Sequence, residues 1–240
     1  MIKVHNKMMF AALLTIASLV AACSGAAASP TAAPTATPAA AAATAGGDTG
    51  AHASATAASD AIRLNIVADG TQARYRVREQ LAQLSLPSDA VGSTSAVTGT
   101  LLINPDGTII DEQSQFVVDV TGLKSDKNQR DGFVQRSLLE TRQYPTVTFV
   151  PRTVTGLASP LPASGPLTFQ LTGDLTVHGA TKPATWDVTA QILSSTEMTG
   201  TATTSFTFED YGIQQPRVPV VLSVVDKISL ELDFHLVKAK

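Results

Sequence analysis

The sequence holds a single cysteine, Cys23, in 240 residues. No intrachain disulfide can form, so any folded part must rest on a hydrophobic core. Histidine is almost as scarce: His5, His52, His178 and His235 are the whole set. None pairs with another at ligand spacing, so no metal is expected. Charged residues are 15% of the chain and slightly acidic in balance, which argues against a nucleic-acid partner. Neither a Gly-x-Ser-x-Gly elbow nor a phosphate-cradling glycine loop occurs. Catalysis is left without a candidate residue, and the chain reads as a non-enzyme without a cofactor.

Long apolar runs are also missing, with one exception. Met8 to Ala22 is apolar apart from Thr15 and Ser18, and follows Lys3 and Lys7. That length suits a signal-peptide core and falls short of the ~20 residues of a spanning helix. The run ends in Val20-Ala21-Ala22-Cys23-Ser24, which resembles the lipobox of bacterial lipoproteins. There the small residues admit a signal peptidase, and the cysteine thiolate accepts a diacylglyceryl group. An ordinary signal peptide with an incidental cysteine is the alternative. The expectation is a signal peptide over 1–22, lipidation at Cys23, and an extracytoplasmic protein anchored to a bacterial membrane on its periplasmic or cell-surface face. One acyl chain binds marginally, whereas two or three on one cysteine hold firmly.

Residues 23–60 follow as the lipidated cysteine and an Ala/Thr/Pro tether nearly free of charge and without aromatics. Such composition cannot bury enough surface to offset its ordering entropy. As a coil, residues 24–60 reach roughly 30–36 Å. Loss of Lys3 and Lys7 leaves 15 basic against 20 acidic side chains, a net charge of −5.

Residues 61–240 are then one folded domain, and its apolar period is two. Leu167, Phe169, Leu171, Leu175 and Val177 alternate with polar residues. The same holds for Ala184 to Ile192 through Trp186 and Val188, and for Ile228 to Leu236 through Leu230, Leu232 and Phe234. Shorter runs repeat it at Ile62/Leu64/Ile66, Ala73/Tyr75/Val77, Val97 to Ile103, Phe116/Val118/Val120, Val147/Phe149 and Phe206/Phe208. Each reads as a strand with one dry face. Asp69-Gly70, Asn104-Pro105-Asp106-Gly107 and His178-Gly179 read as turns. Eight or nine strands with short connections imply an all-β antiparallel barrel or sandwich. Ser125 to Leu139 breaks the pattern and reads as one short helix, capped by Ser125 or Asp126 and stopped by Tyr144-Pro145. It falls between the fourth and fifth strands and would close an end of the barrel.

Three stretches carry a family resemblance. They are Leu123-Lys124-Ser125-Asp126 through Arg130-Asp131 to Tyr144-Pro145-Thr146-Val147-Thr148-Phe149; Thr172-Gly173-Asp174-Leu175-Thr176-Val177-His178-Gly179 with Thr181-Lys182-Pro183; and Phe206 to Gly212 with Val225-Asp226. Together they resemble the YceI-like family, periplasmic proteins with a lipocalin-like barrel that bind polyisoprenoid or other long-chain lipids. The resemblance implies an eight-stranded lipocalin-like barrel over roughly 62–238 and a long-chain lipid or isoprenoid as partner. The family's second strand usually reads aromatic-x-Val-x-His, whereas here Glu79 follows Tyr75 and Val77. The connection from Gln80 to Ala96 reads as unusually long.

The inward parity supplies the candidate ligand-binding residues: Tyr75, Val77, Glu79, Phe116, Val118, Phe149, Phe169, Leu171, Trp186, Val188, Phe206, Phe208, Leu230, Leu232 and Phe234. The bland reading is that the same residues merely fill a core. Glu79 would meet a positive or hydrogen-bonding group from another strand, or face water at the mouth. Arg130-Asp131 reads either as a polar latch at the mouth or as an exposed helix pair. His178 and His235 fall on the outward parity. The functional expectation is a tethered lipid carrier; the rival is a structural or interaction module of the envelope with a filled core. Oligomeric state is not legible.

Overall fold

Alternating apolar and polar residues, rich in Val, Ile, Thr and aromatics, favour strands with one buried face. In the computed structural model, which describes residues 61–157 and 162–239, they form ten segments. These are β1 (Ile62–Ile66), β2 (Gln72–Leu81), β3 (Ser88–Thr94), β4 (Val97–Ile103), β5 (Gln115–Asp119), β6 (Thr146–Thr155), β7 (Gly165–Val177), β8 (Ala180–Ser194), β9 (Glu197–Phe206) and β10 (Val221–Lys238). The expected signal peptide, Cys23 and the tether lie outside the described residues.

Every pairing is antiparallel, and the sheet closes on itself. β10 is long enough to hold two partners along one edge: Val221 to Asp233 pair with β2, and Leu236 to Lys238 pair with β1. β1 and β2 therefore run in one direction, as a single stave interrupted at residues 67–71. β4 pairs with β1 and β3 with β2, so Ser88 to Ile103 is a second interrupted stave. Counted this way the ring has eight staves, which is the expected lipocalin-like barrel.

Several sequence expectations need correction. Asp69-Gly70 is the turn expected between two strands, closed by Thr71 N–H donating to the Ala68 carbonyl (3.2 Å) with Gly70 at φ 78°, but the strands on either side of it share a direction. The His178-Gly179 turn does reverse the chain, with both residues at positive φ, 50° and 75°, as a type I′ hairpin requires. His178 is thus a turn residue and has no strand parity. The long connection from Gln80 to Ala96 contains β3, whose inward positions are the small residues Ala90, Gly92 and Thr94. β9 extends back to Glu197 through Gly200, Ala202 and several threonines, and it stops at Phe206. Phe208 leads the 3-10 turn Glu209–Tyr211 that follows.

The helix lies after β5 and before β6, between the third and fourth staves. It is shorter than expected: α1 (Asn128–Phe133) runs into a π turn over Val134–Leu138. Lys127 is the N-cap residue and makes no side-chain cap. Ser125 and Asp126 are engaged elsewhere, by Asp131 and Arg130 respectively. The helical turns end before Tyr144-Pro145, at Leu139 and Glu140, the latter with φ of 47°.

One end of the barrel is solid. Leu64, Ile103, Leu167, Ala190 and Ile192 are buried there in the common core. On the outer wall Arg74 and Arg76 pair with Glu231, Arg74 also with Asp233, and Arg78 with Asp89. Exposed pairs of this kind contribute little each. They do place Arg74, Arg76 and Arg78 outside, and so Tyr75, Val77 and Glu79 inside.

His235 staples the first interruption to the ring. Its ring N–H groups donate to the Asp69 carbonyl (3.0 Å) and to Glu197 Oε1 (2.7 Å), and its backbone N–H donates to Thr71 Oγ1 (3.0 Å). The Asp69 carbonyl holds the imidazolium above the usual histidine value of 6.5; partial burial opposes this and Glu197 adds to it. A raised folded value means that His235 stabilises the fold fully below about pH 6.5 and loses that contribution as pH rises through the folded value. Thermal unfolding should therefore show a loss of stability as pH rises above about 6.5 that His235→Gln lacks. Equal pH slopes in the two proteins would contradict the staple.

Candidate functional site

Inside the ring the side chains do not fill the space. A cavity of about 540 Å³ runs along β10 from Leu236 to Val221. Small-molecule sites typically span about 300–1,000 Å³. The cavity stops short of the solid end and reaches the other, where α1, the β2–β3 connection and the segment before β10 meet.

All the inward candidates lie on its wall: Tyr75, Val77 and Glu79 from β2; Phe116 and Val118 from β5; Phe149 from β6; Phe169 and Leu171 from β7; Trp186 and Val188 from β8; Phe206 from β9; Leu230, Leu232 and Phe234 from β10; and Phe208 from the turn. Strand alternation brings the first fourteen together. Phe208 arrives by another route, because its N–H donates to Asp226 Oδ1 (2.9 Å) and the turn folds back over the end of the barrel. Sequence parity missed the helix side chains Phe133, Val134 and Leu138 and the lip residues Val218 and Val220. Their contribution depends on where a helix and a loop dock, which no period encodes.

The space exists because inward glycines stand opposite aromatic rings. Gly92 pairs with Tyr75, Gly99 with Phe116 and Gly200 with Phe234. A Cβ on each would lie only 2.3, 2.5 and 2.6 Å from the facing ring. The rings lie flat over the glycines and along the wall, in place of projecting across the lumen. Phe149 also stacks at a tilt on Trp186, with ring centroids 5.7 Å apart. The wall is thus aromatic and aliphatic, suited to hydrocarbon.

Polar groups gather at the open end. Glu79 is 8% exposed and receives a hydrogen bond of 2.6 Å from Arg130 Nη2, whose side chain is 15% exposed. The partner thus comes from α1, across the mouth, and from neither another strand nor water. Arg130 also binds Asp126 and reaches Ser125 Oγ at 3.5 Å. Asp131 does not pair with Arg130. It is buried, and its Oδ1 accepts from Ser125 N–H (2.7 Å) and Oγ (2.6 Å). The expected alternative of an exposed helix pair is corrected on both counts. Burial pulls the Arg130 guanidinium down, but the charges of Glu79 and Asp126 more than compensate, leaving it above its usual value. Burial pushes the nearby Tyr75 phenol up to about 12, with Arg130 opposing and the acidic neighbours adding. The phenol therefore remains a hydrogen-bond donor at neutral pH, and it has no partner among the described residues.

His178 Nε2 lies 3.3 Å from Glu140, and no cluster of potential metal ligands occurs among the described residues. No described helix is long and apolar enough to cross a membrane.

Removing one member of a buried ion pair leaves the other uncompensated. Glu79→Gln should lower stability by about 1–3 kcal/mol. Arg130→Met should cost less in the Glu79→Gln background than alone, because the two share one interaction. Strictly additive losses in denaturant unfolding would show that the two side chains do not meet.

Known proteins carry the same architecture. Residues 64–236 match the YceI-like domain. UPF0312 proteins of the Pseudomonas putida strains GB-1 and W619 are each 32% identical over 113 residues, 44% of this chain and 55% of theirs. The chain thus spans about half the length of these curated relatives. A polyisoprenoid binding domain from Saccharophagus degradans, implicated in plant cell wall breakdown, superposes with a TM-score of 0.56 at 13% identity, over 73% of this chain and 98% of that one. Burkholderia cenocepacia BcnA does so at 0.51 and 16%, over 72% and 99%. At these identities the likeness is one of fold. The domain match covers most of the chain and coincides with the closed ring, and on that ground the protein belongs to the YceI-like family.

Proposed function

We propose that this protein is a membrane-tethered, extracytoplasmic, non-catalytic lipid-binding protein that holds or carries a polyisoprenoid or another long-chain amphiphile in its barrel. The observation that carries this reading is the apolar cavity of about 540 Å³, closed at one end and open at the other. Such a shape takes a hydrocarbon tail inward and leaves a polar head at the mouth. The polar groups agree with that polarity: Glu79, Arg130 and Lys127 line the open end, while Leu101, Met198 and Leu236 line the deep end. The polyisoprenoid binding domain from Saccharophagus degradans shares the fold, which supports the ligand class. A barrel with a filled core, the rival reading, would not leave a cavity of this size.

The anchor belongs to the same proposal. Val20 to Cys23 resembles a lipobox, and residues 24–60 would serve as the tether between it and the barrel.

Two experiments test the parts separately. Native mass spectrometry with lipid extraction should find a long-chain amphiphile on the full-length protein. Ala202, a small wall residue facing the lumen, is the place to block it. Ala202→Phe should lose most of the bound lipid while keeping a cooperative unfolding transition. An empty protein that takes up no added lipid would favour the filled module. For the anchor, Cys23→Ala should abolish metabolic labelling by a fatty acid and release the domain from membranes; unchanged labelling would sink that half.

A further inference from the structure

Six large apolar side chains among the described residues are strongly exposed, and five of them border the mouth. Leu84 and Leu86 lie on the β2–β3 connection, Val220 immediately before β10, and Leu222 and Val225 at its start. Leu86 is 74% exposed and Leu222 67%. The two segments are joined. Ala82 N–H donates to the Val220 carbonyl (3.0 Å), and Leu81 pairs with Val221. Register shifts on either side of Ser223 and Val224 bend this part of β10 away from a regular ladder. The patch is continuous with the cavity, because Val220 is both exposed on the lip and part of the cavity wall.

Charge is distributed in a matching way. Gln80 to Pro87 carries no ionisable side chain, and Ile213 to Val225 carries only Arg217. Lys127 and Lys227 flank the same lip, both exposed, each beside an exposed aspartate, Asp126 and Asp226. A contiguous exposed apolar surface marks an interaction site. Apolar side chains on uncharged segments, with charges of both signs confined to the rim, suit the boundary between acyl chains and head groups.

We propose that this lip is a docking surface for a lipid bilayer, seated so that the cavity opens directly into the acyl layer. The inference rests on the reading of the lumen as a site for a long-chain ligand. A bilayer both covers the patch and offers such a ligand a route that never crosses water. A protein partner would cover the patch but would not itself be the source of the hydrocarbon. Leu222 and Leu86 are the residues that enter the bilayer. Arg217, Lys127 and Lys227 remain at the head groups. Leu193, the sixth exposed apolar residue, lies on β8 near the solid end and stays in water.

The test places an environment-sensitive fluorophore on Leu222→Cys, Leu86→Cys or Leu193→Cys in the full-length protein. Vesicles contain phosphatidylcholine and phosphatidylglycerol with a fraction of acyl-chain spin label as quencher. The parent chain serves as blank for any label on Cys23. Docking predicts blue-shifted emission and several-fold quenching at positions 222 and 86, with position 193 unchanged. Unquenched emission at 222 and 86, or equal quenching at all three positions, would overturn it. So would a vesicle-independent blue shift that grows with protein concentration, which would make the lip a contact between copies. Failure here leaves lumenal lipid binding standing if mass spectrometry still finds the ligand; an empty lumen with a docked lip would instead remove only the ligand reading.

Discussion

The pairing of Leu64 to Ile66 with Leu236 to Lys238 is the contact on which the rest of the structure depends. It joins the first strand to the last and turns a long sheet into a ring. Closure removes the free edges of the first and last strands, while β3 keeps one edge met only by the Ser93–Lys124 bridge. Closure also fixes the inside. In a ring of eight staves, whether the interior is filled or hollow is decided by the side chains that alternate inward.

Given closure, small and large residues divide the interior between them. Toward one end Leu64, Ile103, Leu167 and Ile192 meet across the axis and pack solidly. Farther along, Gly92, Gly99 and Gly200 let Tyr75, Phe116 and Phe234 lie back against the wall. The same aromatic content that would fill a smaller barrel thus lines a cavity here. At the open end the Glu79–Arg130 pair ties α1 to β2, which frames one side of the mouth without sealing it. The phenol of Tyr75, free of a partner among the described residues, lies on the same wall and is available to a ligand's polar atom.

Much of this was legible in sequence because strand parity is a local property. Tyr75, Val77, Glu79, Trp186, Val188, Leu230, Leu232 and Phe234 are inward simply because their polar neighbours are outward. What escaped was whatever the wall made small. β3 exposes only Ala90, Gly92 and Thr94 to the interior, and β9 offers Gly200 and Ala202, so neither shows an apolar period. Those same small residues create the cavity, and the signal for the site and the loss of the strand signal have one cause. The partner of Glu79 also escaped, since Arg130 reaches it from a helix 51 residues away in sequence. The turn at Asp69-Gly70 was legible, but the continued direction of the chain beyond it was not, because that is decided by the pairing of both flanking strands with β10.

The account's central claim is that the hollow part of the barrel holds a long hydrocarbon chain. Trp186 is the one tryptophan in the sequence and lies on the cavity wall beside Phe149, so it reports on the lumen alone. Energy transfer from Trp186 to a conjugated polyene fatty acid tests the claim most directly. The account predicts saturable quenching of the tryptophan emission at one equivalent, reversed by an unlabelled long-chain isoprenoid. Weak, non-saturating quenching that the isoprenoid does not reverse would contradict it.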